Sequence, residues 1–260
     1  MLYIWKTKDL TFLYSFKLRL RSFKDFIIQT YKLIKIRTSF IIFAQFIINY
    51  FTILDKQDDF INSIYKSYNF EFPDWFSNKI PIFIYSLDKY KFDNKVDILE
   101  IGSFEGRSSI FFLNYFKRKI PITNINLTCV DTWRGSNETF HEKIDFNKVE
   151  KNFDTNTEYF SKNIKKNKCT SANFFKLNYD HLYDLIFIDG SHEFEDVLLD
   201  AKSSFKVLKK GGLIIFDDFI WFHYKNEKLN PAHAINTFLK DSMIIYEVIY
   251  AGSILVIKKI

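Results

Sequence analysis

Two short apolar runs, each followed by a carboxylate, constrain the fold of this 260-residue chain more than any other feature. Residues 185–188 and 213–216 are continuously apolar, which is typical of parallel strands covered by helices on both faces. Asp189 and Asp217 follow the two runs directly. Because the carboxyl ends of parallel strands share one edge of a sheet, we expect both carboxylates at a ligand-binding edge.

Strand-like and helix-like segments alternate through the second half of the chain. Strands are predicted at residues 96–101, 127–131, 171–177, 184–189 and 213–217. Helices are predicted at residues 107–116, 145–166, 193–208 and 231–239. Two β-rich runs at 244–250 and 253–258 then favour an antiparallel hairpin. This order predicts an α/β fold with a Rossmann-like, doubly wound sheet of seven strands.

The beginning of the chain differs in charge from the rest. Residues 1–38 hold nine basic and two acidic residues, a charge of +7, whereas the remainder has 28 basic and 29 acidic residues, a charge of −1. A neutral main domain disfavours an enzyme that acts on nucleic acid, whose binding face would be basic. Apolar residues recur at helical spacing over residues 10–40, and the apolar run at 40–54 is shorter than the ~20 residues of a membrane-spanning helix.

These patterns predict a basic helical extension at residues 1–60, a helical cap or lid at 61–95 and an α/β domain at 96–260. We expect the extension to pack on the main domain or on a second copy in a homo-oligomer. The alternative is peripheral contact with a membrane or another protein. Two cysteines without metal-site spacing and the lack of a cleavable signal peptide predict a cytoplasmic location, with membrane-peripheral attachment as the alternative.

A turn with the sequence LEIGSFEG follows the first predicted strand at residues 99–106. Gly102 and Gly106 permit close approach of the backbone to a ligand. A dinucleotide-binding turn needs glycine where Phe104 stands, and Glu100 would repel a pyrophosphate, so NAD and FAD are disfavoured. Glu100 instead suits the positive ammonium and sulfonium groups of S-adenosylmethionine. The alternative is a tight connection with no ligand.

The second predicted strand ends at Asp131, with Trp133 close behind. Asp131 is placed to accept hydrogen bonds from ribose hydroxyls, and Trp133 to cover an adenine. The alternatives are a capping role for Asp131 and a core position for Trp133. The predicted cofactor-binding residues are Glu100, Gly102, Ser103, Phe104, Gly106, Ser108, Asp131, Trp133, Ser171 and Asp189.

A group of three carboxylates and an imidazole is the most specific signal in the chain. Asp189, Asp217 and Asp218 would repel one another unless a cation neutralises them, and oxygen ligands suit Mg²⁺ or another divalent ion. His192 is a suitable base near neutral pH. We therefore predict a metal site at the three aspartates and a catalytic role for His192 and Asp189. The alternatives are a capping role for His192 and a solvated turn at Asp217.

Four motifs, LEIGSFEGRSS, VDTW, IDGSH and FDDFIW, together resemble class I S-adenosylmethionine-dependent methyltransferases, in particular a group with metal-dependent sugar and catechol-type O-methyltransferases. The resemblance covers residues 72–258, and residues 1–60 have no counterpart in it. It implies the seven-stranded methyltransferase sheet with a terminal antiparallel hairpin.

By position, the resemblance implies that Gly102 and Ser108 hold the methionine end of the cofactor, that Asp131 holds the ribose and that Ser171 lies near the adenine. It also implies O-methylation of a sugar, glycan or small molecule with divalent-metal assistance, His192 being the base. The alternatives are a metal-independent methyltransferase and a non-catalytic cofactor-binding or membrane-associated scaffold.

Overall fold

A computed structural model describes residues 12–51, 65–136, 141–221 and 224–260 of the chain. Its strands are β1 Val96–Ile101, β2 Ile125–Asp131, β3 Ile164–Lys168, β4 Tyr183–Ile188, β5 Leu208–Phe216, β6 Tyr246–Ala251 and β7 Leu255–Lys259. Among the described residues they form one seven-stranded sheet in the order β3-β2-β1-β4-β5-β7-β6. Strand β7 runs antiparallel to both neighbours, and the pairs among β1 to β5 are parallel. The predicted α/β sheet and its terminal hairpin are confirmed.

Helices cover both faces of this sheet. They are α1 Phe12–Lys35, α2 Phe40–Phe51, α3 Ile80–Asp88, α4 Arg107–Lys117, α5 Phe146–Thr157, α6 Ser171–Leu177, α7 Phe194–Val207 and α8 Pro231–Leu239, with a 3₁₀ helix at Ser77–Lys79 before α3. Successive residues of β1 enter different cores, because side chains alternate across a strand. Ile98 packs with Phe83 and Phe112 on one face, and Leu99 packs with Phe216 and Phe238 on the other.

Two predicted elements are wrong. The helix expected over residues 145–166 ends at Thr157, and residues 164–168 form strand β3. The strand expected at residues 171–177 is helix α6, where Thr170 caps the first turn by accepting a hydrogen bond from the backbone N–H of Asn173 at 3.2 Å. The sequence pattern did not predict strand β3, because this strand lies at the sheet edge and consists of lysine, asparagine and one isoleucine, without an apolar alternation.

The described part of the N-terminal extension packs on the α/β domain. In α2, Ile42, Phe46 and Asn49 are buried. The Asn49 side-chain oxygen accepts a hydrogen bond from the backbone N–H of Ala251 in β6 at 3.1 Å, and its nitrogen donates to the Tyr85 hydroxyl at 3.3 Å. Helix α2 therefore covers the edge strand of the sheet, which would otherwise present unpaired backbone groups.

The outer face of the extension carries exposed apolar side chains. They include Ile27, Tyr31, Ile34, Phe40 and Ile41. No helix in the described part of the chain has both the length and the hydropathy needed to cross a bilayer. A contact with a membrane, a partner protein or a second copy through this face stays a prediction, and residues 1–11 and 52–60 of the extension lie outside the described residues.

Replacing Asn49 should loosen the extension from the sheet. In Asn49→Leu the buried N–H of Ala251 loses its acceptor, so we expect a loss of about 1–3 kcal/mol in the free energy of unfolding. Urea denaturation measures this loss. Ile48→Ala, at a 58% exposed position on the same helix, is the matched control and should change stability little. Equal stabilities of the two variants would contradict the assigned role of Asn49.

Candidate active site

The turn after β1 brings the ends of two neighbouring strands into direct contact. Gly102 has a φ of 85°, and a Cβ atom there would lie 1.9 Å from the carbonyl oxygen of Asp189 at the end of β4. Gly106 also has a φ of 85° and begins α4, where a Cβ would lie 3.1 Å from the Phe153 ring. Gly102 thus sets the spacing of the two strand ends, and Gly106 packs the first turn of the helix.

The carboxylate of Glu100 lies beneath this turn. It is fully buried, and its Oε2 accepts hydrogen bonds from the hydroxyls of Ser103 at 2.8 Å and of Ser109. Burial raises the pKa of Glu100, opposed by its hydroxyl donors, which include Ser108. The predicted contact of Glu100 with the ammonium of a cofactor stays a prediction, and in this structure the side chain accepts hydrogen bonds from the serine hydroxyls of the turn.

Asp131 ties the ends of β1 and β2 together. Its Oδ2 accepts from the backbone N–H groups of Ser103 at 2.8 Å and Phe104 at 3.0 Å, and its Oδ1 accepts from the N–H of Trp133 at 2.7 Å. The Trp133 indole in turn donates to the carbonyl of Phe104 at 2.9 Å. Phe104 and Trp133 both have a φ of 47°, so two non-glycine residues are held in the left-handed region by this network.

A cavity of about 470 Å³ opens above these strand ends, a size suited to a small-molecule ligand. Most of the predicted cofactor residues line it, namely Gly102, Ser103, Phe104, Ser108, Asp131, Trp133, Ser171 and Asp189. Trp75, Phe146 and Arg107 contribute further walls that the sequence analysis did not identify. His192 lines the cavity as well, so the predicted base and the predicted cofactor residues share one space.

His192 is held by the loop after β5. Asp217 continues that strand beside β4, its backbone N–H donating to the carbonyl of Ile188 at 3.0 Å. The Nε2 atom of His192 lies 2.9 Å from the Oδ2 of Asp218, and its ring packs on Trp221 at a centroid distance of 4.6 Å. Burial alone would raise the pKa of Asp218, but the hydrogen bond with His192 and the charge of Lys79 hold it below its usual value.

Lys79 enters this group from the 3₁₀ helix. Its Nζ lies 2.5 Å from the Oδ2 of Asp217 and 3.7 Å from the Oδ1 of Asp218, and its side chain is 13% exposed. Burial opposes its charge, but the carboxylates of Asp217, Asp218 and Asp189 raise the pKa of Lys79 above its ordinary value. The sequence analysis missed Lys79, because one lysine in a lysine-rich chain carries no distinguishing pattern.

The predicted metal set of Asp189, Asp217 and Asp218 is not assembled as one group. Asp189, His192 and Asp218 each offer an atom within 4.8 Å of the others, whereas Asp217 is engaged by Lys79. Burial and the neighbouring Asp217 raise the pKa of Asp189 well above its usual value. A buried ammonium beside these oxygens repels a divalent ion, so the residues present do not fit the predicted Mg²⁺ site.

Asp200 is a second residue that the sequence analysis missed. It lines the cavity, is 1% exposed and accepts a hydrogen bond from Ser171. Burial raises its pKa to about 7. Helical spacing offered a signal, because Asp200 falls within the buried stripe of α7 formed by Val197, Ala201 and Ser204.

Comparison with known proteins finds a family model and one curated protein that match parts of this chain. Residues 99–219 match the family of methyltransferase domains. An uncharacterised protein, R132, of Acanthamoeba polyphaga mimivirus is 33% identical over 52 residues, which are 20% of this chain and 24% of the length of that protein. The matched segment of 99–219 contains the turn, Asp131, His192 and both aspartates after β5.

Solved structures show the same fold at low identity. An O-methyltransferase from Bacillus cereus in complex with SAH aligns over 80% of this chain and 94% of its own, with a TM-score of 0.51 and 14% identity. A putative O-methyltransferase from Klebsiella pneumoniae aligns over 79% and 92%, with the same TM-score and identity. A putative rRNA-methylase from Clostridium thermocellum aligns over 71% and 99%, with a TM-score of 0.50 and 12% identity. The fold by itself therefore does not set the methyl acceptor.

The Asp200 carboxyl should make stability depend on pH. It keeps its proton in the folded protein up to about pH 7, whereas the unfolded chain loses it near pH 4, so its contribution to stability falls as the pH rises through this window. Relative to Asp200→Asn, the wild type should lose roughly 4 kcal/mol between pH 4 and 8. Urea denaturation at several pH values measures the difference. Asp180→Asn, at an exposed site, is the control, and parallel profiles for wild type and Asp200→Asn would contradict the assignment.

Proposed function

We propose, from the match of residues 99–219 to the family of methyltransferase domains, that the protein transfers the methyl group of S-adenosylmethionine to a hydroxyl group of a sugar, glycan or other small molecule. One observation carries the proposal. The glycine turn, Asp131 and His192 line the same cavity, so a cofactor and an acceptor would meet there.

The wall formed by β1 and β2 is suited to the cofactor. Asp131 already accepts three backbone N–H groups, but a carboxylate has about four acceptor positions, which leaves capacity for a ribose hydroxyl. The aromatic residues Phe104 and Trp133 line the part of the cavity next to Asp131, where the adenosine of the cofactor would lie. Arg107 and Ser108, the first residues of α4, line the cavity at a helix N-terminus, where a carboxylate is favoured.

S-adenosylmethionine supplies a methyl group made electrophilic by its sulfonium. His192 would take the proton of the acceptor hydroxyl, so that the oxygen could bond to the methyl carbon while the electron pair of the carbon–sulfur bond left on sulfur. Asp218, at 2.9 Å from Nε2, stabilises the imidazolium that results. Trp75 and Phe146 help to cover the cavity and keep water from the reacting atoms.

Cofactor choice is the first test of the proposal. We expect purified protein to bind S-adenosylmethionine in isothermal titration calorimetry and to show no binding of NAD, because Phe104 and the buried Glu100 leave no glycine-lined pyrophosphate site in this turn. Failure to bind S-adenosylmethionine at millimolar concentration would overturn the proposed function. Binding of NAD with comparable affinity would point to a dehydrogenase-type cofactor instead.

His192 should matter for turnover and not for cofactor affinity. In His192→Ala we expect methyl transfer to a panel of glycosides and catechols to slow by about 10²–10⁴-fold, the usual contribution of a positioned base. Radiolabel transferred from S-adenosylmethionine measures the rate, and calorimetry measures the affinity. His181→Ala, at a 53% exposed position, is the control. Loss of cofactor binding in His192→Ala would show a structural role for His192.

A further inference from the structure

We propose that Lys79 takes the place of a divalent cation at the carboxylate cluster, so that this methyltransferase works without a metal. The inference rests on the proposed function and adds a positioning residue to its site. It is carried by the placement of one ammonium group among Asp189, Asp217 and Asp218, together with the 2.9 Å contact between the Oδ2 of Asp218 and the Nε2 of His192.

The cluster needs a positive charge, and Lys79 provides it. Three carboxylates this close repel one another unless a cation or protons neutralise them. The Lys79 Nζ lies 2.5 Å from Asp217 and 3.7 Å from Asp218. A divalent ion placed among the same oxygens would stand next to this ammonium, and like charges at such a distance oppose each other strongly in a buried site.

Packing fixes the position of Lys79. The residue ends the 3₁₀ helix Ser77–Lys79 and precedes α3, and its backbone N–H donates to the carbonyl of Phe76 at 2.9 Å. Phe76 and Ile80, on either side of this turn, are 6% and 3% exposed, and the Phe76 ring stacks on Phe83 with centroids 4.8 Å apart. The backbone that carries this ammonium is thus packed against the core, unlike the backbone of a surface lysine.

Lys79 acts on the base through Asp218. One oxygen of Asp218 faces the ammonium and the other lies 2.9 Å from His192, so the carboxylate lies between the ammonium and the imidazole. This arrangement orients the imidazole at the cavity wall. In a metal-dependent site the ion would fill that role, whereas here the chain supplies the charge itself.

The test uses Mn²⁺ as the probe and needs no acceptor. Purified full-length wild type, Lys79→Met and Lys79→Arg are titrated with Mn²⁺ by electron paramagnetic resonance, and thermal unfolding is followed with Mn²⁺ and with EDTA. We expect Lys79→Met to bind one Mn²⁺ at least about 100-fold more tightly than the wild type, because removal of the ammonium frees the carboxylates. Lys79→Arg, which keeps the charge, should behave like the wild type. Adding Asp217→Asn to Lys79→Met should weaken the new site.

Each result decides the proposal. Tight Mn²⁺ binding by the wild type, or a melting temperature of the wild type that falls in EDTA, would overturn it. Lack of Mn²⁺ binding by Lys79→Met would show that Lys79 is not what excludes the ion, and would overturn it too. If Lys79→Met does not fold, Lys79→Gln replaces it in the Mn²⁺ titration, and the EDTA measurement on the wild type still decides. S-adenosylmethionine binding is measured on the same samples, so failure of the proposed function is recognised separately.

Discussion

The contact between Gly102 and the carbonyl of Asp189 is the constraint on which the site depends. The ends of β1 and β4 approach so closely that a single methyl group at residue 102 would overlap the backbone of Asp189. The turn that leads into α4 and the loop that carries His192 both start from this point. A wider spacing would separate the glycine turn from His192 across the cavity that both line.

The carboxylates at this edge of the sheet contact different groups. Glu100 accepts from serine hydroxyls, Asp131 accepts from backbone N–H groups, Asp217 and Asp218 both lie near Lys79, and Asp218 also contacts His192. Such donor and positive groups allow several acidic side chains to coexist in a small, largely buried volume. Asp131 lines the cavity itself, whereas Asp218 contacts His192, which lines it.

The sequence predicted the buried strands well and the edge of the sheet poorly. Strands β1, β4 and β5 contain buried apolar runs, so their ends and the residues after them could be located. Strand β3 has an edge position and lysines in place of an apolar pattern, so residues 158–177 were misassigned. Lys79 could not be found, because its meaning depends on a contact with a residue 138 positions away. Local sequence patterns do not indicate such a pairing, because the two residues meet only in the folded chain.

The separation of Lys79 and Asp217 along the chain also limits when the site can form during synthesis. Lys79 precedes every strand of the sheet, whereas its carboxylate partner follows β5. On the ribosome, the segment bearing Lys79 emerges long before Asp217. A chain synthesised only as far as β4 therefore cannot contain the finished site.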